Sequence, residues 1–407
     1  MIHLSGLLGI LLILGIAFLL SNNRKAIKPI TIIWGLGLQL FLAIVLLKIP
    51  IIKSQFFFID NIFKKFISFS DAGSDFLFTS FIPGVGYHDA MVNFAFRALP
   101  VIIFFSSIIS VTYHFGLIQF IIKWISKIME KSMKTSGAET LSISANIFVG
   151  QTEAPILIRP YIKNMTKSEL MATMTGGFAT VAGSVLALYV FWLKEIPGIA
   201  GHMITASIMS APASLVIAKI IYPETNQPKT IGNLQFGISR KTENAMDALG
   251  QGATDGLSLA ANVGAMLIAF VSIITMVNYC LDLLFSVNMQ QIMGFILQPL
   301  AWAMGVPWKE AHEVGTLMGE KIVLTELIAY SHLSELVNNN EISKRSAIIA
   351  SYALCGFANF GSIGIQLGGI GGMAPERRKD LSKLALKAMI GGALASWLTA
   401  TLAGLLI

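Results

Sequence analysis

The chain is short of charge. Only 13% of its 407 residues are Asp, Glu, Lys or Arg, about half the usual share for a soluble domain. Against 55% hydrophobic side chains and a mean hydropathy of +0.72, too little polar material remains to cover a water-facing surface. That excludes a cytosolic enzyme and a disordered chain. Cysteine is scarce too. Cys280 and Cys355 both lie in apolar runs and read as buried thiols, which excludes a secreted disulfide scaffold. What the chain has instead is long uncharged runs, and a spanning helix needs about 20 apolar residues.

Such runs occur at Leu4–Leu20, Ile30–Leu47, Ala98–Tyr113, Leu170–Leu193, Ile199–Ala218, Gly256–Leu281, Leu283–Trp308, Ser346–Ala374 and Ala388–Ile407. The first has no basic stretch ahead of it, and Ser21-Asn22-Asn23 offers no cleavage pattern, so it reads as a span and not a signal peptide. Basic residues set the orientation. Arg24, Lys25, Lys28, Lys123, Lys127, Lys131, Lys134, Arg159, Lys163, Lys167, Lys219, Lys229, Arg240, Lys241, Arg377, Arg378, Lys379, Lys383 and Lys387 fall on one side, which is expected to be cytoplasmic. The net charge of +7 is therefore topological, and no nucleic acid is implied. If Leu283–Trp308 crossed, the Arg377–Lys387 cluster would move outside. With Pro299, Pro307 and three glutamines, that run reads as interfacial. The result is eight transmembrane helices in an all-α polytopic protein, with both termini outside. Ile51–Phe69 and Gly116–Ser132 read as amphipathic surface helices, the second with its isoleucines on one side and its lysines on the other.

Two segments fit neither span nor loop. Ser136–Lys167 has an apolar core broken by Gly150-Gln151-Thr152-Glu153-Ala154-Pro155. Trp308–Glu335 holds Lys309, Glu310, Glu313, Glu320, Lys321 and Glu326 among leucines, isoleucines and valines. Backbone at membrane depth is tolerated where protein or a watery cavity shields it, so both read as re-entrant hairpins with tips near Glu153 and Glu326. A weak repeat supports this. Thr152-Glu153 recurs as Thr325-Glu326, and Gly177-Phe178-Ala179-Thr180 recurs as Gly356-Phe357-Ala358-Asn359. Three crossings per half make the second half inverted, with broken helices at the midplane, the pattern of a secondary transporter.

An intramembrane carboxylate costs roughly 2.5–3.5 kcal/mol, which makes Glu153 and Glu326 site candidates. With Gln151 and the adjacent threonines they suit a neutral, hydroxyl- or amide-bearing solute. A structural carboxylate capping a hairpin helix is the plain alternative. Asn146, Val149, Thr180 and Val181 offer neutral oxygens to a hard cation, or a packed polar contact. Phe357 is placed to stack on a flat ring, with Asn359 and Ser362 nearby, or is simply core. Enzyme signatures fail. Thr316 stands where an H-E-x-x-H zinc motif begun at His312 needs a second histidine, and Gly319-Glu320-Lys321-Ile322 completes no P-loop. His114 and His202 read as satisfied packing residues.

Four dispersed motifs resemble the concentrative nucleoside transporter family. They are Gly150-Gln151-Thr152-Glu153-Ala154-Pro155, Lys321 with Glu326-Leu327-Ile328-Ala329-Tyr330, Cys355-Gly356-Phe357-Ala358-Asn359-Phe360-Gly361-Ser362-Ile363, and Gly252-Ala253-Thr254-Asp255-Gly256-Leu257. The resemblance covers the chain from the third span onward. It implies a homotrimer in which a rigid scaffold surrounds an elevator-like transport domain. It implies Gln151, Thr152, Glu153 and Val185 near the nucleobase with Phe357 close by, and Glu326, Asn359 and Ser362 near the ribose. It implies sodium as coupling ion on Asn146, Val149, Thr180 and Val181. The chain departs from the family at Thr325, Leu327, Gly361 and Thr180; the threonine keeps the hydroxyl of the usual serine.

The expected division is 1–93 (scaffold), 94–135 (scaffold), 136–221 (first hairpin and spans four and five, transport domain), 222–307 (scaffold) and 308–407 (second hairpin and spans seven and eight, transport domain). The expected activity is sodium-coupled nucleoside uptake across an inner (plasma) membrane. A proton-coupled carrier and a nucleoside-binding membrane receptor stand as alternatives, and no further cofactor is implied.

Overall fold

The computed structural model describes residues 2–78, 94–231 and 242–407. Arg240, Lys241 and the end of the first expected unit lie outside the described residues, within which all regular structure is helical. The long apolar runs become α1 (Ile2–Leu19), α2 (Pro29–Lys48), α4 (Leu99–His114), α10 (Ile199–Ile221), α11 (Ala245–Phe285) and α17 (Arg378–Leu406). Two runs are interrupted. One splits into α8 (Lys167–Ala179) and α9 (Gly183–Trp192), the other into α15 (Lys344–Leu354) and α16 (Phe360–Met373). Six described segments are long and apolar enough to cross a membrane: α2, α4 with its preceding turn, α8–α9, α10, α11 and α17 with its leading turn. The apolar stretch of α1 is shorter.

The amphipathic segments become α3 (Pro50–Phe78) and α5 (Leu117–Met133). On α5 the buried stripe is Ile118, Ile122, Met129 and Met133, whereas Ile121 and Ile128 are exposed. The isoleucines therefore do not share one face; the 3.6-residue period divides them. Leu283–Trp308 contributes only a 15-residue helix, α12 (Met289–Ala303), after Ser286 stops α11 in the left-handed conformation. At 1.5 Å per residue it reaches about 22 Å, short of a bilayer core.

Each of the two acidic segments is a helix, a break and a second helix. In the first, α6 (Gly137–Ala145) ends in turns over 146–153, and the chain returns through a tight helical stretch, Ala154–Ile158, to α7 (Arg159–Ile162). In the second, α13 (Trp308–Val323) breaks at Leu324 and Thr325 before α14 (Glu326–Asn338). Local chemistry fixes the starts. Ser136 with Glu139, and Thr166 with Glu169, form reciprocal capping boxes on α6 and α8.

The segments α8–α9, α10 and α17 are almost wholly buried, whereas α11 is mostly exposed apart from a buried stripe of Ala248, Gly252, Gly256 and Ala260. Cys355 is buried as expected, but Cys280 is exposed on α11. That corrects the reading of both thiols as buried: in a membrane protein an apolar run faces lipid as readily as core.

Candidate functional site

The two helix breaks meet at the centre of the molecule. Gly356 has φ +140°, and a Cβ there would fall 2.6 Å from the Phe178 carbonyl oxygen and 2.9 Å from that of Ala179. Only glycine lets the second broken helix lie this close to the first.

Helix ends then converge on two points. Asn146 is the C-cap of α6 and Thr180 the C-cap of α8, so two sets of terminal carbonyls point at one place. Asn146 Nδ2 donates to Gly176 O at 2.8 Å and also to Thr180 Oγ1, while the Thr180 hydroxyl donates to Asn146 O at 3.0 Å. Asn146 Oδ1 is buried and has no hydrogen-bond partner. An orphaned amide oxygen among helix C-termini fits a small hard cation bound by neutral oxygens. Val181 is buried beside Thr180, and Val149 follows in the turn.

On the other side two helix N-termini converge. Thr325 caps α14, and Asn359 caps α16 by accepting from Ser362 N at 2.8 Å. Glu326, the first residue of α14, is 5% exposed. Its Oε1 accepts from the Tyr189 hydroxyl at 3.0 Å and its Oε2 from Asn359 Nδ2 at 2.8 Å. Tyr189 is itself stacked on Tyr330, ring centroids 4.1 Å apart. Nearby, the fully buried Lys321 donates to Ala353 O at 2.9 Å and Ser396 Oγ at 2.6 Å, tying α13 to α15 and α17.

Between these clusters lies a cavity of about 750 Å³, its open mouth included. Gln151, Thr152, Glu153, Val185, Glu326, Phe357, Asn359 and Ser362 all line it. Gln151 Nε2 donates to Ser362 Oγ at 3.2 Å, joining the first turn to α16. Glu153 differs from Glu326 in being exposed, and it also lines an adjoining cavity of about 1210 Å³ bounded by α4 and α11. Sequence reasoning missed Tyr189, Gln366 and the α11 wall of Leu259, Val263 and Leu267. Two signals were present. Tyr189 lies four residues after Val185 on one helix face, and Gln366 is an amide inside an apolar run.

Residues 202–404 match the family model "Na+ dependent nucleoside transporter C-terminus", residues 8–81 its N-terminal counterpart, and residues 95–195 a "Nucleoside recognition" model. The chain is 42% identical over 409 residues to "Uncharacterized transporter YutK" of Bacillus subtilis (strain 168), covering 99% of each. The chain belongs to the concentrative nucleoside transporter family. It is also 38% identical to human "Solute carrier family 28 member 3", across 98% of this chain and 59% of that one. Among solved structures, CNTnw in an inward-facing substrate-bound state matches with a TM-score of 0.90 at 40% identity, covering 100% of this chain and 98% of that one. A variant of CNTnw in an outward-facing state matches with a TM-score of 0.91 at 39% identity, covering 100% and 98%. Membership in the concentrative nucleoside transporter family makes this chain a membrane transporter and not an enzyme.

Proposed function

We propose that the protein is a sodium-coupled nucleoside symporter of the inner (plasma) membrane. In this reading α1, α2, α4, α8–α9, α10, α11, α15–α16 and α17 are the eight spans, and the acidic segments are re-entrant hairpins of an inverted repeat. The hairpins with their broken helices form a transport domain that moves as an elevator within the scaffold of a homotrimer. The exposed apolar side chains of α3, α5 and α11 are surface for lipid and neighbouring copies to cover. The observation that carries the reading is a cavity lined from both acidic turns.

The chemistry follows from that lining. The carboxylate of Glu326 accepts from ribose hydroxyls, with Asn359 and Ser362 alongside. Val185 and Phe357 cover the faces of the base, while Gln151, Thr152 and Glu153 meet its polar edge. Sodium among Asn146, Val149, Thr180 and Val181 neutralises converging helix C-termini. That braces the first turn, which is already held to the break by Gly183 N donating to Phe148 O at 3.1 Å. An ordered first turn completes the nucleoside chamber, so each solute favours the other. Inward sodium movement adds about 2.3 kcal/mol per charge per 100 mV of membrane potential.

The test is uridine uptake into proteoliposomes. Accumulation above the external concentration is expected under an inward sodium gradient and not under choline. Accumulation driven equally by an imposed pH gradient without sodium would make the carrier proton-coupled, and binding without accumulation would make it a receptor.

A further inference from the structure

Gln366 is completely buried on α16 and stands outside the cavity, behind Gln151. Its Nε2 donates to Met174 O at 3.1 Å and to Gln151 Oε1 at 3.0 Å. A backbone carbonyl only accepts, so Met174 settles which end of the Gln366 amide is nitrogen. The reversed amide would lose the Met174 bond and set two carbonyl oxygens against each other. The Gln366 nitrogen in turn settles Gln151, whose oxygen must face it. Ser362 cannot do this, because a hydroxyl donates or accepts with equal ease. Gly177 leaves the space: a Cβ there would lie 2.5 Å from Gln366 Nε2 and 3.2 Å from Gln151 Cβ.

We propose that Gln366 is a positioning residue for base selectivity: it locks the Gln151 side-chain amide with its N–H groups toward the cavity. The inference rests on the nucleoside-carrier reading above. With one N–H on Ser362 and the oxygen held by Gln366, Gln151 offers the base its remaining N–H. A donor at that point favours a keto oxygen, as in uracil or hypoxanthine, over an exocyclic amino group, as in cytosine or adenine. Once the lock is removed, Gln151 turns over and presents its carbonyl, which accepts from an amino group.

The experiment measures kcat and KM for uridine and cytidine uptake in proteoliposomes for wild type, Gln366→Met, Gln151→Met and the double variant. Gln366→Met keeps the side-chain length and removes the donor. It should lower the uridine-to-cytidine ratio of kcat/KM about five-fold or more, the size of one exchanged hydrogen bond. On the Gln151→Met background the same change should leave the ratio unaltered. A merely structural role predicts equal losses for both substrates. A ratio within two-fold of wild type, or the same shift on both backgrounds, overturns the inference. Should Gln366→Met fail to fold, Gln366→Leu removes the same donor and must shift the ratio in the same direction. Wild-type protein that accumulates neither nucleoside would overturn the carrier reading instead.

Discussion

The Tyr189 hydroxyl donates to Glu326 Oε1 across 3.0 Å, linking positions 137 residues apart in the chain. One lies on the broken helix that follows the first acidic turn, the other at the start of α14 in the second acidic segment. The pair therefore ties the first half of the chain to a carboxylate that lines the candidate chamber. Asn359 holds the other carboxylate oxygen, so Glu326 is fixed in place while still facing the cavity.

Tyr189→Phe keeps the ring on Tyr330 and removes only that donor. A hydrogen bond to a charged group contributes about 1.5–3 kcal/mol. The expected outcome is a rise of about ten-fold or more in uridine KM, read in uptake assays, with protein of normal size-exclusion behaviour.

The cation cluster makes a separable prediction. Thr180→Ser keeps the hydroxyl that bonds Asn146 O, so half-maximal sodium should stay within about two-fold of wild type. Thr180→Val removes it at nearly constant volume and should raise half-maximal sodium about ten-fold or more. The check is the sodium dependence of uridine uptake for the three proteins.

Much of this site was legible in the sequence, because polar residues in apolar runs stand out where bilayer depth makes them costly. Gln151, Glu153, Glu326 and Asn359, which line the cavity, and Asn146 with Thr180 stand out that way, whereas Val185 is expected only from the family resemblance. Tyr189 does not stand out, since an aromatic in an apolar helix carries no such mark until its hydroxyl partner is known. Leu259, Val263 and Leu267 were equally hidden, because one apolar face of α11 looks like any other. The same ambiguity misplaced Cys280, which hydropathy alone assigns to the core as readily as to lipid. Helix breaks fared better. Glycine and the Asn/Thr caps at 180 and 359 are local chemistry and need no tertiary context.

Gly356 tests the crossing of the two breaks. Gly356→Ala places a methyl 2.6 Å from Phe178 O at a left-handed φ. Backbone strain of this kind costs of order 1–3 kcal/mol before the clash is added. The melting temperature in detergent should fall by several degrees, with loss of uridine binding.

Arg377 tests how the first acidic segment is anchored. Its Nη1 donates to Ile162 O, Lys163 O and Met165 O at 2.6–3.1 Å, capping α7 just past its C-terminus. Its Nε pairs with Asp380 at 3.1 Å. Arg377→Ala should lower thermal stability by about 1.5–3 kcal/mol and leave the ratio of uridine to cytidine transport unchanged. Differential scanning and uptake assays read the two effects.

In the proposed mechanism sodium and nucleoside bind at adjoining sites and each strengthens the other. Calorimetry on the purified protein measures this without transport. Uridine should bind about ten-fold or more tightly in sodium than in choline, and saturating uridine should tighten sodium binding by the same factor, because linkage is reciprocal. Equal uridine affinity in sodium and choline would rule out coupled binding.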